Sequence, residues 1–289
     1  MLGASQWLLG HEAEVRNGVF VATFVAMAIW EVVAPRRTLA VSKAVRWPNN
    51  LGIVILNTVL VRLIFPLAAV GLAYFAQERG WGLLNQYEVP FAAAVLVSVV
   101  ALDFAIYLQH VMFHAVPALW RLHRVHHADL DFDVTTGVRF HPIEILLSML
   151  IKMAVIVVLG PPAAAVMIFE VLLSTTSMFN HSNVAIPGGF DRPLRWLVVT
   201  PDMHRVHHSI EDDETNSNFG FNLPWWDRLF GTYRDQPRAG HGGMVIGIRS
   251  HRDTNSCSWL PGMLVMPFRG RVEGYVINRR TWKRADVIA

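Results

Sequence analysis

The chain has 289 residues, enough for one large domain or two small ones. With 53% hydrophobic residues, 16% charged and a mean hydropathy of +0.35, it is too apolar for a soluble domain, which carries about 25% charged residues. Basic residues scattered between apolar runs (net charge +3, pI near 9.3) argue against a nucleic-acid binder, and a lone cysteine, Cys257, excludes a disulfide framework or a cysteine-based metal site.

In chain order, the first apolar run is "VFVATFVAMAIW", Val19 to Trp30, extended by Val32 to Ala34. Its N-terminal flank holds Glu12, Glu14 and Arg16 rather than the basic segment of a signal peptide, so it reads as a spanning helix that is retained. Leu51 to Ala76 is a second run, long enough to span at ~20 residues per crossing. Pro90 to Ala115 is a third, and it carries Asp103, His110 and His114, so it is not a plain lipid-facing helix. Ile143 to Phe179 is a fourth region, interrupted by Gly160-Pro161-Pro162, which ends one helix and reverses the chain into a second. From His181 onward the sequence is mixed and polar with no comparable run.

The distribution of basic residues orients these runs. Arg36, Arg37, Lys43 and Arg46 lie between the first two, Arg121, Arg124 and Arg139 after the third, and Arg192, Arg195 and Arg205 after the hairpin. If the hairpin enters and leaves on one face, all three groups share the cytoplasmic side. The expected architecture is an all-α integral membrane protein with about four spanning regions, the fourth a two-helix hairpin, and a cytoplasmic helical cap.

Histidine carries the chemistry. "LHRVHHADLD" (Leu122–Asp131) and "MHRVHHSIED" (Met203–Asp212) repeat His-x-x-His-His with the same Arg-Val between, roughly 80 residues apart. On a helix, positions i, i+3 and i+4 share a face. His123, His126 and His127 form one such set, His204, His207 and His208 another, and His110 with His114 an i, i+4 pair. Imidazole is the commonest protein metal ligand. Eight clustered histidines of the 13 in the chain exceed what one ion needs, so the count points to two metals. His181, in "FNHSN", ends the hairpin at the same face and is read as a ninth ligand. His141, before Pro142, is read as structural or as support for a ligand, while His11, His241 and His251 lack partners at ligand spacing. Spacing alone does not separate iron from zinc.

The order His110–His114, His123–His127, His204–His208 resembles the fatty acid hydroxylase/sterol desaturase superfamily, and so do the flanking stretches "DFAIYLQHVMFH", "TTGVRFHPIE" and "NSNFGFNLPWWDRLFGTY", from about Leu96 to Tyr233. The resemblance implies a non-haem di-iron centre held by His110, His114, His123, His126, His127, His181, His204, His207 and His208. Some family members carry a further histidine four residues before His181; here that position is Ser177, and a water, Asn180 or His141 is the candidate to fill the gap. It also implies O2 as co-substrate, hydrogen abstraction from an unactivated C–H bond, and a lipid alcohol or alkene as product, with hydroxylation preferred. The domain expectation is 1–90 N-terminal spanning helices, 91–236 catalytic domain and 237–289 tail.

Asp103 and Tyr107 precede His110 on its helical face; Asp103 is expected either to orient a ligand histidine or to pair with Arg62. Asn218 and Asp227 are read as supporting or folding residues, and Trp225 and Trp226 as membrane-interface residues. The reaction needs two electrons, and the chain has neither a nucleotide-binding motif nor length for a flavin domain. A separate donor is therefore expected (cytochrome b5, a ferredoxin or a reductase), with a lipid substrate arriving from the bilayer. Two other readings are a metal transporter, which would spread polar residues along several spans, and a membrane di-zinc hydrolase, which would need a carboxylate base beside the histidines.

Overall fold

The computed structural model describes residues 2–272 and 275–277. Among them there is no β-strand, only isolated bridges, and the chain is helical throughout. The elements that matter for the site are α1 (Leu2–Gly10), α2 (Glu12–Val33), α3 (Lys43–Ile64), α4 (Ala68–Glu78), α5 (Phe91–Ala115), α6 (Pro117–His127), α7 (Pro142–Leu159), α8 (Ala163–Asn180), α9 (Gly188–Leu194) and α10 (Pro201–His207).

Five helical stretches are long and apolar enough to cross a membrane: Glu12–Val33, Lys43–Asn85, Phe91–Ala115, Pro142–Leu159 and Ala163–Asn180. On α2, Val21, Val25, Ile29 and Val32 form an exposed stripe at helical spacing, the pattern of a face turned to lipid rather than to a protein core. The protein is an integral membrane protein of the all-α class. The second run departs from expectation in one respect: it is two helices, broken at Phe65–Leu67. Pro66 is the cause, since proline removes a backbone donor and disfavours helix at the residue before it. The hairpin is as expected: α7 closes on Gly160 at φ +67°, a left-handed position that glycine adopts without penalty, and Pro161-Pro162 precede α8.

Helix α8 is the hub, packed against α2, α4 and α5, while α7 rests on α3, α4 and α5. One apolar core lies between these spans around Ala69, Leu102, Val166 and Phe169. A second joins Ile53 and Trp120 to Ile248, Cys257 and Met263, so residues beyond position 240 pack beneath α6. The basic loop between α2 and α3 lies on the histidine-bearing segments: Arg36 Nε donates to Asp202 at 3.1 Å, Arg37 N to Asn183 Oδ1 at 3.2 Å, and Arg46 is buried between Asp129 and Asp133. The loop and the histidine segments therefore share one end of the bundle.

Candidate metal site

Local sequence sets each histidine. His110 and His114 lie one turn apart near the end of α5. Pro117 opens α6 at its first turn, where its missing N–H costs nothing, with His126 and His127 in the last turn and His123 just before it. His181 caps the C-terminus of α8. Thr200 caps α10, with Pro201 in its first turn, and presents His204, His207 and the C-cap His208. All nine imidazoles are buried and converge into two adjoining groups: His110, His114, His123, His127 and His207 in one, and His126, His181, His204 and His208 in the other, ligand atoms within 4.8 Å of one another in each.

Each His-x-x-His-His copy is split between the groups. His123 and His127, at i and i+4, go to the first while His126 goes to the second; His204 and His208 go to the second while His207 goes to the first. The two copies face each other, with His127 stacked on His208 at 4.5 Å and edge-on to His207 at 4.6 Å. Two copies of one pattern, facing and reciprocal, bind the two groups together.

The backbone decides which nitrogen of each ring is free. A carbonyl can only accept, so a ring nitrogen bonded to one carries the proton. His110 Nδ1 donates to Phe219 O (2.8 Å), His207 Nδ1 to Ser217 O (2.7 Å), His126 Nδ1 to Arg139 O (3.2 Å) and His181 Nδ1 to Ser177 O (2.8 Å). Their Nε2 atoms are then bare lone pairs. Yet His110 and His207 bring Nε2 to Nε2 at 3.0 Å, and His126 and His181 at 3.1 Å. Lone pairs facing at that distance repel unless a cation lies between them. Two nitrogens bound to one ion at about 2.1 Å are about 3.0 Å apart at right angles and about 3.4 Å apart in a tetrahedron. The contacts of His110 with His123 (3.1 Å), His114 with His127 (3.1 Å) and His204 with His181 (3.0 Å) match the right-angled case. Both nitrogens of His208 and Nδ1 of His204 are buried without a hydrogen-bond partner. Such orphans cost about 1–3 kcal/mol each, and metal coordination is their ordinary resolution. The donor set fits two metal ions.

Beneath this cage lies a layer of support. His123 Nδ1 donates to Glu144 Oε1 at 2.6 Å, a carboxylate–histidine pair that orients a ligand ring and raises its basicity. Glu144 was missed from sequence, although it stands in "RFHPIE", two residues after Pro142 and inside an apolar helix where a carboxylate needs a reason. Asn216 Oδ1 accepts from His114 Nδ1 at 3.1 Å and was missed too. Replacing Glu144 by leucine is expected to lower metal retention or activity 10–100-fold, the usual cost of losing such a partner, while Glu144→Gln, still an acceptor, keeps much of both. Metal content after dialysis against a chelator checks this, and a Glu144→Leu protein that holds metal like the parent contradicts it.

Asp103 neither touches a ligand histidine nor pairs with Arg62: it accepts from Trp226 Nε1 (2.8 Å) and Asn222 N (3.3 Å), tying α5 to the loop after α10. Trp226 thus anchors this carboxylate, and Trp225 is 45% exposed. Tyr107 and Asp227 act on His110 through the backbone. Tyr107 Oη is 3.1 Å from Thr232 Oγ1, Thr232 donates to Asp227 Oδ1, and Asp227 accepts from Phe219 N and Gly220 N at 2.8 Å, fixing the peptide whose carbonyl receives His110. Asn218 adopts φ +51°, which asparagine tolerates, and its amide donates to Met203 O and Arg234 O at 2.8 Å, bracing α10.

Neither ring nitrogen of His141 is free for a metal: Nδ1 accepts from Ile143 N and Nε2 donates to Leu264 O, both at 3.2 Å. Ser177 supplies the carbonyl that orients His181, and Gly137 passes so close that a Cβ there would meet Ser177 O at 2.4 Å and His181 Nδ1 at 3.1 Å. Asn180 donates to Phe221 O at 2.9 Å, with Oδ1 buried and unpartnered. His11 is held by Trp7, His251 lies beside Ser250, and His241 lies 3.5 Å from Asp202, all apart from the cage.

Burial keeps the rings neutral. It pushes His123 and His181 down to about 3, and burial reinforced by neighbouring imidazoles drives His126, His127, His204, His207 and His208 well below the usual 6.5. With folded values below unfolded ones, the unfolded chain takes up more protons between about 3 and 6.5. Stability is therefore complete above pH 6.5 and is lost as pH falls. A ring held at about 3 costs ~2 kcal/mol at pH 5. Asp227, raised to about 6 by burial, opposes this more weakly, gaining stability as pH falls from 6 toward 3.8. Thermal unfolding of metal-free protein is expected to show a falling Tm below pH 6.5; a Tm constant from pH 8 to 5 contradicts it.

Fold and site together define a class: an all-helical integral membrane protein with a buried nine-histidine cage in two groups. Residues 95–232 match the fatty acid hydroxylase family. The chain is 33% identical over 149 residues to an ornithine lipid hydroxylase of Rhizobium tropici, covering 52% of this chain and 44% of that one. It is 32% identical over 156 residues to an alkylglycerol monooxygenase of Xenopus tropicalis (53% and 34%), and 25% identical over 148 residues to a cholesterol 25-hydroxylase of Rattus norvegicus (50% and 48%). The chain spans under half the length of these relatives. No solved structure matches it. The stretch holding all nine histidines belongs to the fatty acid hydroxylase/sterol desaturase superfamily.

Proposed function

We propose that the protein is an O2-dependent, non-haem di-iron oxidoreductase that hydroxylates a C–H bond of a membrane lipid. The observation that carries this is where the cage opens. His110 and His123 of the five-histidine group form one wall of a cavity of about 540 Å³ between α2, α3, α5, α7 and α8, lined by Val61, Ile106, Phe113, Phe140, Met149 and Phe221. An acyl chain or sterol fits such a lining, and exposed Thr58 and Arg62 mark its opening.

His110, His114, His123, His127 and His207 would hold one iron, and His126, His181, His204 and His208 the other. Bound there, the pair would supply O2 activation and the oxidising power for hydrogen abstraction. The chain's own residues do the rest. Glu144 and the carbonyls of Phe219, Ser217, Arg139 and Ser177 hold protons on Nδ1 and keep Nε2 free. The right-angled nitrogen contacts favour a six-coordinate ion such as iron over tetrahedral zinc. Phe113, Phe140 and Phe221 exclude water beside His110 and His123, protecting the reaction from side chemistry. The net change is a C–H bond and O2, with two electrons and two protons, to an alcohol and water. The electrons come from a separate donor: cytochrome b5, a ferredoxin or a reductase.

The names of the relatives support hydroxylation over desaturation. Incubation of iron-loaded protein and a donor with lipid extract under 18O2 tests it: label in a product alcohol is expected, an unlabelled alkene means desaturation, and no O2 consumption with any lipid rejects the oxidase reading. For topology we propose a cytoplasmic site in a bacterial inner membrane, on the basic loop lying against the histidine segments. A cysteine placed at Glu211 is then labelled from the cytoplasmic side only.

A further inference from the structure

On the reading that the five-histidine group holds a metal ion, we propose that Tyr275 is a positioning residue for that ion: its peptide carbonyl holds the Asn216 amide with the oxygen toward His114. Tyr275 lies in the tail, well beyond the family match that ends at residue 232. His110, His126, His181 and His207 each lean on a backbone carbonyl, which can only accept, so their proton stays on Nδ1. His114 leans instead on a side-chain amide, Asn216 Oδ1 at 3.1 Å. An amide has an accepting end and a donating end, and the partners around it decide which end faces the ring.

Those partners are two carbonyls. Asn216 Nδ2 lies 2.7 Å from Asp212 O and 2.6 Å from Tyr275 O. Both oxygens only accept, so the nitrogen takes that side and both its hydrogens are used. Turned over, the amide would set its oxygen against two carbonyl oxygens and donate to His114 Nδ1. The ring proton would then sit on Nε2, the atom that stands 3.1 Å from His127 Nε2 in the cage, and His114 would be lost as a ligand. Asp212 is a near neighbour of Asn216 in sequence, whereas Tyr275 has to be brought to it. The helix that carries the first His-x-x-His-His copy does this. Arg124 of α6 donates to the carbonyls of Met266, Arg269 and Arg271, and Arg121 to those of Pro267 and Gly270. The buried Tyr275 ring stacks on Trp120, also of α6, with centroids 5.9 Å apart. Its Oη donates to Ile210 O at 2.7 Å and accepts from Arg249 N at 3.0 Å. These contacts fix the backbone at Tyr275, and through Asn216 the tautomer of His114.

Cobalt(II) titration of the full-length, metal-free protein in detergent, in competition with a chromophoric chelator, tests this without turnover. The parent is expected to bind two ions. Tyr275→Ala should weaken one of them about tenfold, the low end of the usual cost of losing a partner of a ligand, and leave the other unchanged. Tyr275→Phe, which keeps the stack on Trp120, should bind both ions nearly as the parent does. Adding Asn216→Asp to Tyr275→Ala should restore the weakened ion, because a carboxylate accepts in either orientation and needs no tail to hold it. Where Tyr275→Ala does not fold, the milder Arg121→Gln loosens the same segment and should weaken the same ion several-fold, with the same rescue. Equal weakening of both ions, no weakening, or a loss that Asn216→Asp fails to restore overturns the positioning role and leaves the tail a packing element. A parent that binds no cobalt sinks the metal reading and this inference with it; a parent that binds two ions, with variants that bind both as tightly, sinks the role of Tyr275 alone.

Discussion

His207→Ala is expected to abolish turnover and to lower bound metal, while His251→Ala changes neither. His207 donates from Nδ1 to Ser217 O at 2.7 Å and directs Nε2 at the group shared with His110, 3.0 Å away. It is also the one member of the second His-x-x-His-His copy that crosses to the first group. Its loss removes a ligand and the link that ties α10 to α5. Losing a partner of a ligand already costs 10–100-fold, so losing the ligand should exceed ~100-fold in activity. The His251 ring bonds Ser250 Oγ and stands outside the cage. Metal analysis and O2 uptake on anaerobically purified variants check both, and full activity in His207→Ala would remove the basis for the metal assignment.

Arg46→Leu is expected to destabilise the fold by ~3–5 kcal/mol, the cost of leaving buried charges without their partner. Arg46 is fully buried on α3, donating to Asp129 from Nε at 2.8 Å and from Nη2 at 2.7 Å, to Asp133 at 2.5 Å and to Thr136 at 3.1 Å. Burial alone would raise Asp129, but Arg46 and Arg139 outweigh it and hold the carboxylate below its usual range. Asp129 follows His126 by three residues and His127 by two, so this network sets how the second group's His126 is presented. Arg46→Lys should recover part of the loss, because an ammonium cannot fork between two carboxylates. A Tm drop of roughly 6 °C or more is expected for the leucine variant, with activity lost in parallel; a Tm within 1–2 °C of the parent, on the order of one weak surface contact, would mean the network is dispensable.

Much was legible from sequence because the relevant signals are local. Hydropathy runs mark the spans, since a bilayer demands length and apolarity in one continuous stretch. Gly160-Pro161-Pro162 marks the hairpin, and the i, i+3, i+4 spacing of His123 to His127 and His204 to His208 marks shared faces. The break at Pro66 was also written in the chain, but apolar residues on both sides masked it. What only the tertiary structure decided depends on partners far apart in sequence. The spacing put each His-x-x-His-His on one face; contact between the two copies divided each, the i and i+4 rings to one group and the i+3 ring to the other, because i+3 and i+4 diverge enough to face different neighbours. Asp103 went to Trp226, 123 residues away, rather than to a histidine, since the loop after α10 brought it a donor at 2.8 Å. Glu144 reached His123 across 21 residues. The tautomers rest on carbonyls of Phe219, Ser217, Arg139 and Ser177, and a carbonyl is the one functional group that every residue has; the sequence therefore names the ligands by type, and only folding selects which backbone oxygens orient them.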